Sequence, residues 1–129
     1  MNALTPKRGD VWWVVLDPVI GREQGGHKLH EPRPAVVVSD DRINSGVSEM
    51  IVIVPMTGTV RANPFHVLID PPDGGLSKQS MALCDQVRAI STLRVKNQMG
   101  VVHIRTLALI DLRLRSVLRL PTQSMSSRS

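Results

Sequence analysis

Four kinds of side chain in this sequence are placed to act on a charged substrate. Arg33 stands directly before Pro34 at the head of an apolar run, so a rigid segment fixes the origin of its side chain. Its guanidinium stays charged and can grip two oxygens of an anion at once. Thr57 follows Val-Pro-Met at the end of another apolar segment, where a hydroxyl can donate while its backbone stays anchored. Glu23 lies in a glycine-rich loop, either as a proton acceptor or as an ordinary solvated carboxylate. Of the four histidines, which titrate near neutrality, His66 and His103 fit a strand residue and a helix-start residue. His27 and His30, with Glu31 or Glu23, are spaced for a metal only weakly, on an irregular loop with no cysteine nearby. The expectation is a site without metal or cofactor.

These side chains need elements to hold them. Residues 11–16 are a run of β-branched and aromatic residues stopped at Asp17-Pro18, the pattern of a buried strand. Residues 17–32 carry glycines, prolines and both charge signs and read as a long loop of the kind that carries function or is disordered. Further strands are expected at 35–39, 50–55 and 65–69, separated by turn chemistry at 40–46, a loop at 58–64 and a turn at 71–75. Residues 80–89 form a strand pair or one long bent strand, interrupted by Asp85, Gln86 and Arg88. Short strands at this spacing predict a compact antiparallel barrel. From about 104 to 119 the period changes, placing Leu107, Ile110, Leu114, Val117 and Leu118 on one helical face. Leu109 and Leu112 lie off that stripe, so the helix either fills a groove between sheets or carries a subunit contact.

A chain of 129 residues makes one domain with a core large enough to fold alone. The domain is expected over 1–120, with the polar, Ser-rich residues 121–129 as a disordered tail. Aromatic residues are only 2% of the chain, which rules out an interleaved base-stacking platform. The formal charge of +5 and a pI near 10.4 favour a polyanion, or equally an acidic protein segment, as partner. No signal-peptide core and no run of eighteen apolar residues is present, so no membrane partner is expected and the cytoplasm is the expected location. The lone Cys84 reads as a small buried hydrophobe, and Arg8-Gly9-Asp10 as the start of the first strand.

Residues 8–23, Arg-Gly-Asp-Val-Trp-Trp-Val-Val-Leu-Asp-Pro-Val-Ile-Gly-Arg-Glu, run on into Gln-Gly-Gly-His and then Arg-Pro-Ala-Val-Val-Val-Ser at 33–39. Val-Pro-Met-Thr at 54–57, Gly-Leu-Ser-Lys-Gln-Ser at 75–80 and Cys-Asp-Gln-Val-Arg-Ala-Ile at 84–90 follow in order. In these segments the chain resembles the MazF/PemK toxins over roughly residues 8–120. The resemblance implies a mainly β (α+β), SH3-like, PemK-type barrel with a C-terminal helix. It also implies a homodimeric, sequence-selective, metal-independent endoribonuclease that cuts single-stranded RNA through a 2′,3′-cyclic phosphate and is held by an acidic antitoxin. Arg33 and Thr57 match the family's catalytic positions, and Glu23 matches a position implicated in some members. Arg22, Gln24, His27, Lys28 and Arg61 would then contact RNA from the two loops. Ser80, Gln86 and Arg88 would shape the groove, although Asp85 and Gln86 fit equally well as groups satisfying backbone at a bend.

The sequence departs from the family pattern at 28–32, where Lys-Leu-His-Glu-Pro separates His27 from Arg33-Pro34. These residues are expected to form a flap over the cleft that affects substrate choice more than stability. Val15 also stands where many relatives carry an aspartate, and nothing in the sequence explains that exchange. A rival from another class is a non-enzymatic toxin of the same fold, like the CcdB toxins, which would inhibit a topoisomerase by protein contact and need no pairing of Arg33 with Thr57.

Overall fold

The computed structural model describes residues 5–26 and 30–121. Its first strand, β1 (Asp10–Val14), is antiparallel to β2 (Arg33–Val37), and β2 is antiparallel to the long β3 (Met50–Thr57). The next strands are β4 (His66–Ile69), β5 (Ser80–Leu83), β6 (Arg88–Ser91) and β7 (Val95–Val101). They line up as β4-β5-β3-β2-β1-β7, with β6 also on β3. A short helix α1 (Asp41–Asn44) precedes β3, and α2 (Ile104–Leu118) closes the described chain.

β3 is the hub. Its first half pairs with β6, from Met50↔Ser91 to Ile53↔Arg88, and its end pairs with β5 at Met56↔Ala82 and Thr57↔Met81. One strand can serve two partners on one side because a 3-10 turn at Cys84–Gln86 breaks residues 80–89 into two strands. The stretch anticipated as a strand pair or a bent strand is therefore a pair, and the sheet bends where it breaks. The expected antiparallel architecture with a C-terminal helix is present, but among the described residues the barrel is not closed: β4 and β7 end the row.

Side-chain alternation divides the core. Val11, Val36, Val54 and Met56 pack with Val67, Ile69, Ala82 and Ile110 under α2. Trp12, Val14, Ala35, Val37, Ile51, Ile53 and Ile90 form a second cluster. Because both faces are covered, these strands appear in sequence as unbroken apolar runs. Asp10, the first residue of β1, is buried and accepts from Trp12 Nε1 at 3.0 Å and the Lys7 N–H at 2.9 Å. The Arg-Gly-Asp tripeptide is thus a strand start, as anticipated.

The C-terminal helix falls where the period placed it. His103 caps it, its Nδ1 accepting from the Arg105 N–H at 3.1 Å, while Asp73 accepts the His103 N–H at 2.7 Å. Leu109, off the predicted stripe, packs against the first cluster, whereas Leu112 is 52% exposed. Arg8 ties the helix to the start of the chain through an ion pair with Asp111. Cys84 is buried, and burial pushes its thiol up to about 12, consistent with an apolar packing role.

Two elements differ from the sequence expectation. Residues 40–46, expected as a turn, hold α1, capped by Asp40, which accepts the Arg42 N–H at 2.8 Å. β7 was not anticipated. Its Lys96, Asn97 and Gln98 are exposed at the end of the row, so the strand carries no apolar alternation to reveal it.

Candidate active site

Arg33 is the first residue of β2, opposite Val14 of β1. The β2–β3 register runs Val37↔Ile53, Val36↔Val54, Ala35↔Pro55. Continued two residues further along both strands, it sets Arg33 across from Thr57, and directly opposed residues share a face of the sheet. Both residues line a cavity of about 380 Å³ with Gln24, Gly25, Gly58, Thr59 and Lys78. Arg33 is half-buried, and its Nε is desolvated without any hydrogen-bond partner. No hydrogen bond or ion pair among the described residues engages the guanidinium, so its donors stay available to an anion in the cavity. Thr57 Oγ accepts from the Thr59 N–H at 3.2 Å, which orients the hydroxyl and leaves its proton free to donate.

A second cavity of about 590 Å³ is lined by Arg22, Glu23, Gln24, Pro55, Asp85, Gln86, Val87 and Arg88. Gln24 lines both. Its N–H donates to Gln86 Oε1 at 2.7 Å and its Nε2 to the Met56 carbonyl at 3.0 Å. Gln86 Nε2 in turn reaches the Arg22 carbonyl at 3.4 Å. Gln86 therefore satisfies backbone groups of the 17–26 loop while lining the larger cavity. Asp85 is bound to the ring of His66, Nε2 to Oδ1 2.8 Å.

The long loop is tied to itself as well. The buried Asp17 carboxylate accepts the His30 N–H, and the Arg94 guanidinium donates to the Val15 carbonyl at 3.1 Å and to the Asp17 carbonyl. Gly26 packs so closely on Glu31 that an added Cβ would overlap the glutamate's own Cβ and carbonyl oxygen. The returning leg at 30–32 is thus bound to the outgoing one.

The sequence-predicted residues separate into groups. Arg33, Thr57 and Gln24 meet at the smaller cavity, and Arg22, Glu23, Gln86 and Arg88 gather at the larger. Glu23 is exposed, and its carboxylate accepts the Ile20 N–H at 2.8 Å within its own loop turn. It lines the larger cavity, next to Gln24, and not the smaller one with Arg33 and Thr57. Ser80 is buried, its hydroxyl donates to the Lys78 carbonyl at 3.1 Å, and it lines neither cavity. Arg61 is exposed on its loop and lines neither cavity. His27 and Lys28 lie outside the described residues, as do positions 122–129 of the expected tail. Lys78 was missed. Its only sequence signal was its place in Gly-Leu-Ser-Lys-Gln-Ser, where a single exposed cation is easily taken for a solubility residue. Among the described residues, no three His, Cys, Asp or Glu side chains converge in a way that could hold a metal ion.

Residues 7–118 match the family model described as PemK-like, MazF-like toxin of type II toxin–antitoxin system. The chain is 36% identical over 110 residues to Endoribonuclease MazF9 of Mycobacterium tuberculosis, covering 81% of this chain and 89% of that protein. It is 35% identical over 111 residues to the endoribonuclease toxin MazF of Escherichia coli K12, covering 85% and 91%. Among solved structures, MazF from Deinococcus radiodurans superposes with a TM-score of 0.77 at 28% identity, covering 92% of this chain and all of that one. A MazE–MazF structure from the same organism gives 0.73 at 28% identity with the same coverage.

Proposed function

The chain belongs to the PemK-like, MazF-like toxin family of type II toxin–antitoxin systems, and from that membership we propose that it is the toxin component, a metal-independent endoribonuclease cutting single-stranded RNA in a sequence-selective way. The observation that carries this reading is the convergence of Arg33, with its unpartnered buried Nε, and Thr57 on one cavity. The ribose 2′-oxygen attacks the adjacent phosphorus and loses its proton. The bond to the 5′-oxygen breaks, and that oxygen gains a proton. The products are a 2′,3′-cyclic phosphate and a 5′-hydroxyl, with no water consumed and no change in oxidation. Arg33 holds non-bridging oxygens with its fork, and Thr57 donates to the same phosphate, so both stabilise the charge that builds up on the phosphorane. Arg22, Gln24, Gln86 and Arg88 lie along the larger cavity and would receive the flanking nucleotides.

We extend the proposal to assembly. One toxin domain would take in residues 1–120, and a homodimer would cover apolar surface now open on α2, where Leu112 and Leu118 are each more than half exposed. An acidic antitoxin segment would compete with RNA for the same basic clefts. No helix among the described residues is long and apolar enough to cross a membrane.

Incubation with a long single-stranded RNA in EDTA tests the activity. Discrete fragments with 5′-hydroxyl and 2′,3′-cyclic phosphate ends are expected. Absence of fragments at any protein excess would overturn the reading.

A further inference from the structure

Lys78 reaches the smaller cavity from a third part of the chain, the segment leading into β5, whose register on β3 sets Met81 against Thr57. The backbone of that segment is fixed. The buried Ser80 hydroxyl donates to the Lys78 carbonyl at 3.1 Å, and the neighbouring Gln79 side chain donates to Asp70 at 2.7 Å. The Lys78 ammonium extends across Gly58, the residue directly after Thr57. A Cβ placed on Gly58 would lie 3.3 Å from Lys78 Cε and 3.4 Å from its Nζ. Glycine at this position leaves the lysine side chain room to lie against the strand end.

The ammonium has no hydrogen-bond or ion-pair partner among the described residues, and none of the residues lining this cavity is a carboxylate. Two unpaired cations, Arg33 and Lys78, therefore face one space together with the Thr57 hydroxyl. The larger cavity is different, since Arg22 and Arg88 share it with Glu23 and Asp85. Excess positive charge gathered on one small polar volume is suited to a group whose negative charge grows during reaction. A phosphodiester carries one negative charge, and the phosphorane formed from it carries two.

We propose that Lys78 is a third catalytic residue, its ammonium contacting a non-bridging oxygen of the scissile phosphate and binding the phosphorane more strongly than the ground state. The inference rests on the endoribonuclease reading. Arg33 supplies the planar fork, and Lys78 supplies a compact charge from the opposite strand end. Because its share is in the charge that appears on reaction, its loss acts on kcat rather than on KM.

The test uses the full chain with a single-stranded RNA carrying one cleavage site, and the same RNA with a 2′-deoxy nucleotide at that site as an uncleavable probe. Lys78→Met is expected to lower kcat by roughly thirtyfold, somewhat less than loss of a fully enclosed oxyanion donor. KM, affinity for the deoxy probe and the melting temperature stay close to the parent's. Lys78→Arg, which keeps the charge, recovers part of the rate. Unchanged kcat in Lys78→Met, or a loss confined to KM and probe affinity, would overturn the inference while leaving the enzyme reading intact. A parent protein that cuts no RNA would overturn both.

Discussion

The two cavities that share Gln24 differ in their acidic groups: the larger holds Glu23 and Asp85, and the smaller holds no carboxylate among the described residues. In the smaller one, Arg33 and Lys78 have no partners among the described residues, and Thr57 keeps a free hydroxyl proton. In the larger one, the carboxylates and the amide are occupied with each other or with backbone, while the Arg22 and Arg88 side chains have no partner among the described residues. Gln86 holds both Gln24 and Arg22, Glu23 turns to Ile20, and Asp85 turns to His66. Groups left unsatisfied by the fold are available to a substrate, whereas groups satisfied by the fold define shape. Substitutions in the smaller cavity should therefore alter the rate at nearly constant stability, and substitutions around the larger should alter affinity and stability together.

The strongest attempt to break this contrast is Arg33→Ala. Loss of preorganised charge stabilisation is expected to lower cleavage at least about a hundredfold. The melting temperature should hold, because Arg33 gives up no hydrogen bond to the described residues. Single-turnover cleavage and thermal unfolding measured on the same preparation check both halves. An active Arg33→Ala protein would show that the site is elsewhere.

Deletion of residues 28–32 probes the other side. The sequence alone suggested a flap whose removal costs little stability. The His30 N–H on the buried Asp17 carboxylate, and the packing of Gly26 on Glu31, change that expectation. A loss of about 1–3 kcal/mol is expected from leaving Asp17 without that donor. Denaturant unfolding gives the stability, and sequencing of fragment ends gives the cleavage pattern. Unaltered stability would mean that the leg is free after all.

Thr57→Ala is expected to slow cleavage by about tenfold, since one hydroxyl donor is lost while the guanidinium remains. Thr57→Ser should restore most of the rate, and its kinetics would show whether the hydroxyl or the methyl matters. Gln86→Ala has the smallest expected effect. It frees the Gln24 N–H and the Arg22 carbonyl and should cost about 1 kcal/mol of stability, given that the loop can find water. KM for RNA should rise a few-fold with kcat held. A fall in kcat with KM unchanged would merge the two cavities into one functional unit.

Much of this was legible in the sequence because it depends on neighbours along the chain. The apolar runs around Val11, Val36 and Ile53 marked strands, and the period through Ile110 and Leu114 marked the helix. The motif around Arg33-Pro34 and Val-Pro-Met-Thr marked two residues that line one cavity. β7 escaped because only Val95 and Met99 pack on the core, and the exposed Lys96, Asn97 and Gln98 between them leave too sparse an apolar pattern to mark a strand. The bond of the Glu23 carboxylate to the Ile20 N–H, and its place at the larger cavity, depend on the loop's fold and could not be read from the motif.

The sequence by itself therefore determined which segments are strands and helix, the family, and the chemical type of the groups at two strand ends. The tertiary structure decided which of those groups share a space. Arg33, Thr57 and Lys78 are far apart in sequence, and they meet only because β3 pairs with β2 on one side and β5 on the other in fixed registers. Those registers are set by which side chains the whole sheet can bury, since a slip of one residue would turn every side chain of a strand to the opposite face.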